Sequence, residues 1–177
     1  EIVTEDGETY TSTKEILPEV TPIDTIWVAE ETNFGETEQV VYIETAEIPG
    51  IGNYYQWKVY INGEYQDEPF DMIFAEDQFV DGNYIEEFDI YALSDEDILF
   101  YTSVSDSIHV RIEQTGISQN HYNFLADVFA QTAISGGPFS PPPAEVRSNI
   151  TNASGGERAL GIFTVVSIED IAITFAP

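Results

Sequence analysis

The sequence predicts an all-β protein: an antiparallel β-sandwich or partly open barrel with one packed α-helix at about 119–132. Three observations carry this. Residues 54–61 alternate strictly, with Tyr55, Trp57, Val59 and Ile61 on one face and Tyr54, Gln56, Lys58 and Tyr60 on the other. Asn62-Gly63 follows at once, the dipeptide best suited to a two-residue hairpin loop. The composition is that of strands, with 10 tyrosines, 11 phenylalanines and recurrent runs of Thr, Val and Ile. Strand-length segments succeed one another through short turns without βαβ alternation, and one stretch alone has a clear helical period.

Taken in order, residues 2–4 and 9–11 read as two strands joined at Asp6-Gly7. Pro18 and Pro22 bracket a linker. Residues 23–31 and 39–46 read as strands, the second ended by the turn cluster PGIGN. After 54–61, strands are expected at 71–74, 84–91, 98–102 and 107–115. In the last of these Ile108, Val110 and Ile112 face inward and His109, Arg111 and Glu113 outward. The helix runs from Gln119 to about Thr132, with Ser118 as N-cap and Tyr122, Leu125, Val128 and Phe129 as its apolar stripe. Gly136-Gly137 ends it. Strands at 164–168 and 171–175 close the chain.

A chain of 177 residues suits one domain, or one domain with a fragment of another, and buries roughly 70% of its unfolded surface. Thirty-three acidic residues stand against 5 basic ones, a net charge of −28. Such a polyanion repels nucleic acid and anionic headgroups, which excludes partners bound through basic patches. The acid excess suits binding of Ca²⁺ or of a cationic partner, but it is read first as solubility in a salty medium, where screening over about 10 Å removes most self-repulsion. Cysteine is absent, so thiol catalysis, disulfides and zinc–thiolate sites are excluded. No apolar run reaches the length of a membrane span and no signal peptide is present. The sequence starts at Glu1 inside a hairpin, from which a longer natural precursor is expected.

No P-loop, dinucleotide fingerprint, HExxH or GxSxG occurs. Only two histidines exist, His109 on an outward strand face and His121 in the first helical turn, neither with companions at ligand spacing. The most specific acidic cluster is EDQFVDGN, 76–83, where Asp77, Asp81 and Asn83 on a tight loop could offer hard oxygen ligands to Ca²⁺. The same residues also suit a turn, because Asp and Gly serve turn geometry. SDED, 94–97, reads as a solvated loop. Asn149-Ile150-Thr151 and Asn152-Ala153-Ser154 fit the eukaryotic N-glycosylation sequon. In GGPFSPPP, 136–143, two glycines and four prolines forbid regular structure and hold the chain extended. Pro138, Phe139, Pro141 and Pro142 on this stiff segment, with Tyr54 and Tyr60, are candidate contacts for a partner or ligand. Tyr54, Tyr60 and Trp27 could stack on glycans.

The segments NYYQWKVYINGE (53–64), EDQFVDG (76–82), SQNHYNFLADV (118–128), GGPFSPPPAEVRSNI (136–150) and ALGIFTVVS (159–167) come in a telling order. The series resembles the C-terminal half of the domain of unknown function 4249 family of Bacteroidota. That family's pattern runs YYR-x-x-V-NG, D-x-x-F-DG, YY-x-Y-L, GPF-x-PP-x-x-V-x-SNI and LGYF. The chain departs from it at Ile162, where an aromatic is usual, and by an insert around 154–158. The resemblance covers about residue 23 to the end. It implies that 1–17 is the last hairpin of a preceding immunoglobulin-like domain and 18–177 the C-terminal sandwich or barrel domain. It further implies an outer-membrane lipoprotein at the cell surface, anchored through an N-terminal lipid outside this sequence. The implied role is that of a non-enzymatic accessory or partner-binding subunit beside a TonB-dependent receptor or other outer-membrane complex. No catalytic residues and no cofactor follow from it; Ca²⁺ enters only through the 76–83 cluster. In that setting Asp24-Thr25-Ile26 and Asp106-Ser107-Ile108 resemble the O-glycosylation motif of exported proteins, with Thr25 and Ser107 as acceptors.

Overall fold

The computed structural model describes residues 1–33, 35–132 and 145–177. Among these the chain forms β1 (Ile2–Val3), β2 (Thr9–Ser12), β3 (Ile23–Asn33), β4 (Glu36–Ala46), β5 (Tyr54–Ile61), β6 (Glu64–Tyr65) and β7 (Ile73–Glu76). There follow β8 (Tyr84–Ser94), α1 (Asp95–Thr102), β9 (Ile108–Ile117), α2 (Gln119–Thr132), β10 (Ile150–Asn152) and β11 (Ser167–Phe175). A 3-10 turn at Pro69–Asp71 leads into β7.

Two antiparallel sheets face each other as a sandwich. One has the order β3-β4-β8; the other has β11-β9-β5-β6, with β7 on the same edge of β5 as β6. Strand alternation decides what lies between them. Tyr55, Trp57, Val59 and Ile61 pair in register with Gly116, Gln114, Ile112 and Val110, so all eight share the inner face. Opposite them stand Val41, Ile43, Ile90 and Leu93, and the central aliphatics are wholly buried. Each such side chain stabilises the fold by about 1.5–3 kcal/mol relative to exposure. A third, small sheet has the order β1-β2-β10. Here the opening hairpin pairs with Ile150–Asn152, far downstream.

The turn after β5 is a hairpin as its sequence dictates. Asn62 and Gly63 take φ of 50° and 89°, the left-handed pair that matches strand twist. α2 has the expected bounds. The Ser118 hydroxyl accepts from the His121 N–H at 3.3 Å. Leu125 is buried, and Tyr122 and Phe129 pack on Phe74 at 5.5 and 6.0 Å between ring centres. The helix thus covers the outer face of the larger sheet at its β5–β7 edge. Its expected end at Gly136-Gly137 lies outside the described residues.

Four expectations need correction. Residues 98–102 are helical, the second half of α1. Ser94 caps it by accepting from the Asp97 N–H, and the Asp97 carboxylate accepts from the Ser94 N–H in return. That capping box, followed by three acids in the first turn, favours a helix over a strand or a solvated loop. The strand expected at 71–74 starts later, because Pro69 begins a 3-10 turn. The two closing strands are one continuous β11, paired residue for residue with β9. β10, in a stretch where no strand is expected, is drawn into pairing by β2.

Candidate functional site

The loops 47–53 and 76–83 meet at one end of the sandwich, where three carboxylates bind them together. Asp77, 2% exposed, accepts from the N–H groups of Gly52 and Asn53, at 3.0 Å in each case. Glu47, 5% exposed, accepts from Asn53 Nδ2 at 3.2 Å, the Tyr55 hydroxyl at 2.9 Å and the Gly82 N–H at 2.5 Å. Asp81, at the surface, accepts from the Gly50 N–H at 2.5 Å. Buried carboxylates persist only when hydrogen-bonded, and here the glycine-rich turns supply backbone donors at close range. Burial, then the bond to Glu47, raises the Tyr55 phenol well above its ordinary pKa.

Oxygens of Glu47, Asp77 and Asp81 lie within 4.8 Å of one another. They are hard ligands of the kind that suits Ca²⁺, although their inward lone pairs already meet N–H and O–H donors. Of the three residues expected at such a site, the fold brings Asp77 and Asp81 together. Asn83 takes part through its backbone, its carbonyl accepting from the Glu47 N–H at 2.9 Å. Glu47 escaped sequence reasoning because its partners in the second loop lie some thirty residues on; its one local signal is its place just before PGIGN.

Beneath this clasp the two sheets diverge around a pocket of about 280 Å³. Its walls include Tyr55, Trp57, Ala75, Val80, Ile85 and Phe88. Its floor is a buried polar relay. The Trp57 indole N–H donates to Gln114 Oε1 at 2.8 Å, and Gln114 Nε2 donates to the Thr21 carbonyl at 2.8 Å and to Thr45 Oγ1 at 3.1 Å. Thr45 Oγ1 in turn donates to the Pro22 carbonyl at 3.1 Å. Gln114 continues the inward phase of β9, so a sequence signal for it existed. Phe79 stands at the mouth, 88% exposed on a tight turn.

The other expected contact residues are dispersed. Tyr54 packs on Tyr122 of α2, with ring centres 5.1 Å apart. Tyr60 carries the Arg111 guanidinium 3.9 Å from its ring centre and Tyr65 at 5.3 Å. Its hydroxyl donates to Glu113, which also pairs with Arg111. Although burial alone would raise it, these two partners hold the Glu113 carboxyl below its usual pKa. Trp27 stacks on Tyr42 at 5.3 Å and 14° on the outer face of the three-stranded sheet. The Tyr42 hydroxyl donates to Glu31, and that bond, with burial, pushes its pKa up to about 12. Glu87 and Asp89 complete an acidic fringe around this pair. Thr25 is exposed beside a register shift in β3, and Ser107 is half-buried. His109 and His121 contact Thr174 and Thr164 respectively, on separate elements. Pro138, Phe139, Pro141 and Pro142 lie outside the described residues.

Fold and site together define an antiparallel β-sandwich domain with a clasped pocket between its layers. The chain belongs to the family described as Domain of unknown function (DUF4249), whose model matches residues 1–171. No curated protein matches the sequence. Among solved structures, a protein from Archaeoglobus fulgidus is similar at 8% identity and a TM-score of 0.31, covering 88% of this chain and 97% of its own. No helix among the described residues is long and apolar enough to cross a membrane.

Proposed function

We propose that this chain is the non-enzymatic binding part of an outer-membrane lipoprotein. In this reading it faces the cell surface, is lipid-anchored through residues outside this sequence, and acts as an accessory subunit beside a TonB-dependent receptor or another outer-membrane complex. The observation that carries the reading is the outer face of the β3-β4-β8 sheet. There the stacked Trp27 and Tyr42 lie in a shallow depression fringed by Glu31, Glu87 and Asp89. An aromatic pair ringed by carboxylates suits lysine and arginine side chains, through cation–π and ionic contacts together. A surface of net charge −28 steers such a basic partner toward it and repels nucleic acid and anionic lipid. The clasp carboxylates, for their part, are held by backbone donors, which suits a structural task better than proton transfer.

Affinity purification of the full-length protein from native outer membranes tests the reading. Stoichiometric recovery with a receptor or outer-membrane complex is expected, lost on Trp27→Ala and Glu31→Lys in the folded protein. Recovery of the protein alone, or a complex indifferent to both changes, would refute it. The alternative, a sandwich that binds glycans or other ligands, draws support from the interlayer pocket only for an apolar ligand, since its lining is almost wholly apolar.

A further inference from the structure

The pocket combines three properties. It is large: interiors pack like organic crystals with few voids above the size of a water, whereas 280 Å³ equals roughly nine waters at about 30 Å³ each. Its surface is almost wholly apolar even though Glu47 and Asp77 border it, because both carboxylates turn outward to the loop N–H groups. Its polar wall atoms are also spoken for. The Trp57 indole, both ends of Gln114, Thr45 and the Tyr55 hydroxyl all bond to protein partners. Among the described residues one buried side-chain polar atom lacks a partner, Thr115 Oγ1, and it lies on the opposite face of β9. Water placed here would find few hydrogen bonds, and a polar ligand would find no open anchor.

We propose that the pocket is a binding site for a small, uncharged hydrophobic ligand, an aromatic ring system or short alkyl chain, that enters beside Phe79. The size fits: apolar cavities of about 150 Å³ already admit benzene, so this one takes a group of two or three rings. The rim fits as well. Glu47, Asp77 and Asp81 at the mouth disfavour an anionic group on the ligand. The same clasp fixes the two loops, so the entrance is formed before the ligand arrives and little ordering cost falls on binding. Phe79 offers the incoming ligand an exposed ring at the threshold. The site lies between the sheets and the Trp27–Tyr42 depression outside them, so this inference stands or falls separately from the partner reading.

The test is a fluorescence titration of the full chain with N-phenyl-1-naphthylamine, a neutral probe of about the right size. One saturable site per chain is expected, with quenching of Trp57 that persists in Trp27→Phe, where Trp57 is the remaining tryptophan. Ala75→Phe places a ring in the pocket and should weaken binding at least tenfold while the protein melts no lower. The sulfonated relative 1-anilinonaphthalene-8-sulfonate should bind at least tenfold more weakly than the neutral probe. If Ala75→Phe does not fold, indole N–H resonances of the unaltered protein decide: saturating probe must move that of Trp57 and leave that of Trp27. Absence of saturation, undiminished binding by folded Ala75→Phe, equal affinity for the sulfonate, or a shift confined to Trp27 would each overturn the proposal.

Discussion

Gln114 is a buried polar residue at the centre of an apolar layer, and removing its amide should be costly in a specific way. Gln114 is 1% exposed and Trp57 is 5% exposed, and the pocket beside them is almost wholly apolar, so water is a poor substitute for a lost partner. Gln114→Leu keeps most of the volume but strands the Trp57 indole N–H and deprives the Thr21 carbonyl of its donor. A buried group left unpaired costs about 1–3 kcal/mol, which puts the expected loss for the two at about 3 kcal/mol. For a chain of this size that corresponds to a fall in Tm of roughly 6–12 °C. Urea unfolding followed by far-UV circular dichroism measures it, with the slope m unchanged. Trp57→Phe combined with Gln114→Leu should lose less than the sum of the single changes, by about 1 kcal/mol or more, because the second change strands nothing further. A single-variant loss under about 0.5 kcal/mol, or strict additivity of the pair, would show that the relay is not what holds these groups.

Other outcomes follow from the same structure. At Gly116 an added Cβ would lie 2.4 Å from the Glu19 carbonyl oxygen, so Gly116→Ala should lower stability by about 1–3 kcal/mol in thermal unfolding, and a neutral result would mean the 18–22 linker shifts freely. Burial, with Lys58 second, lowers the pKa of His121 below 6.5. Folding therefore favours the neutral ring: its stability contribution is intact above pH 6.5 and declines as pH falls through the lower folded value. Tm should drop between pH 7.5 and 5.5, and His121→Gln should flatten that drop; parallel profiles would exclude His121 as the source. The donors that already meet the clasp carboxylates predict equal rises in Tm with CaCl₂ and MgCl₂ at matched ionic strength. A rise specific to Ca²⁺ and abolished by Asp81→Asn would make the clasp a cation site.

Local signals are strong enough to read β5 to the residue and to place the start of α2. Strict alternation with Asn62-Gly63 defines the first, and Ser118 with a helical apolar stripe defines the second. α1 was misread although its signature was present, since Ser94 and Asp97 have capping-box spacing. The density of acids around them resembled a solvated loop, and Ile98 to Tyr101 is an unbroken apolar run without helical period. Periodicity also placed Tyr55 and Trp57 together on one face of β5, and in the fold that face is the inner one. It could not reveal the pocket, which exists because two sheets diverge at Thr45, Ala75 and Phe88, on three separate strands. Asp77 and Asp81 were recognised as an acidic pair within one loop. Glu47 was not, because alternation assigns a residue to a face and says nothing of a partner on another loop. The family resemblance is carried by short motifs in fixed order, and the family's model matches residues 1–171.

The pairing of β2 with β10 has a consequence for how the chain is made. Thr9 donates to Ser154 across 145 residues of sequence, and the β1–β2 hairpin alone is too small to be stable in water. During synthesis or export, β2 emerges well over a hundred residues before β10 and must wait for it. Closing so long a loop adds little to its equilibrium cost, since that cost grows only with the logarithm of length. Its effect falls on timing: the opening hairpin is among the last parts to lock, and until then its edge is open to capture by chaperones or by another strand.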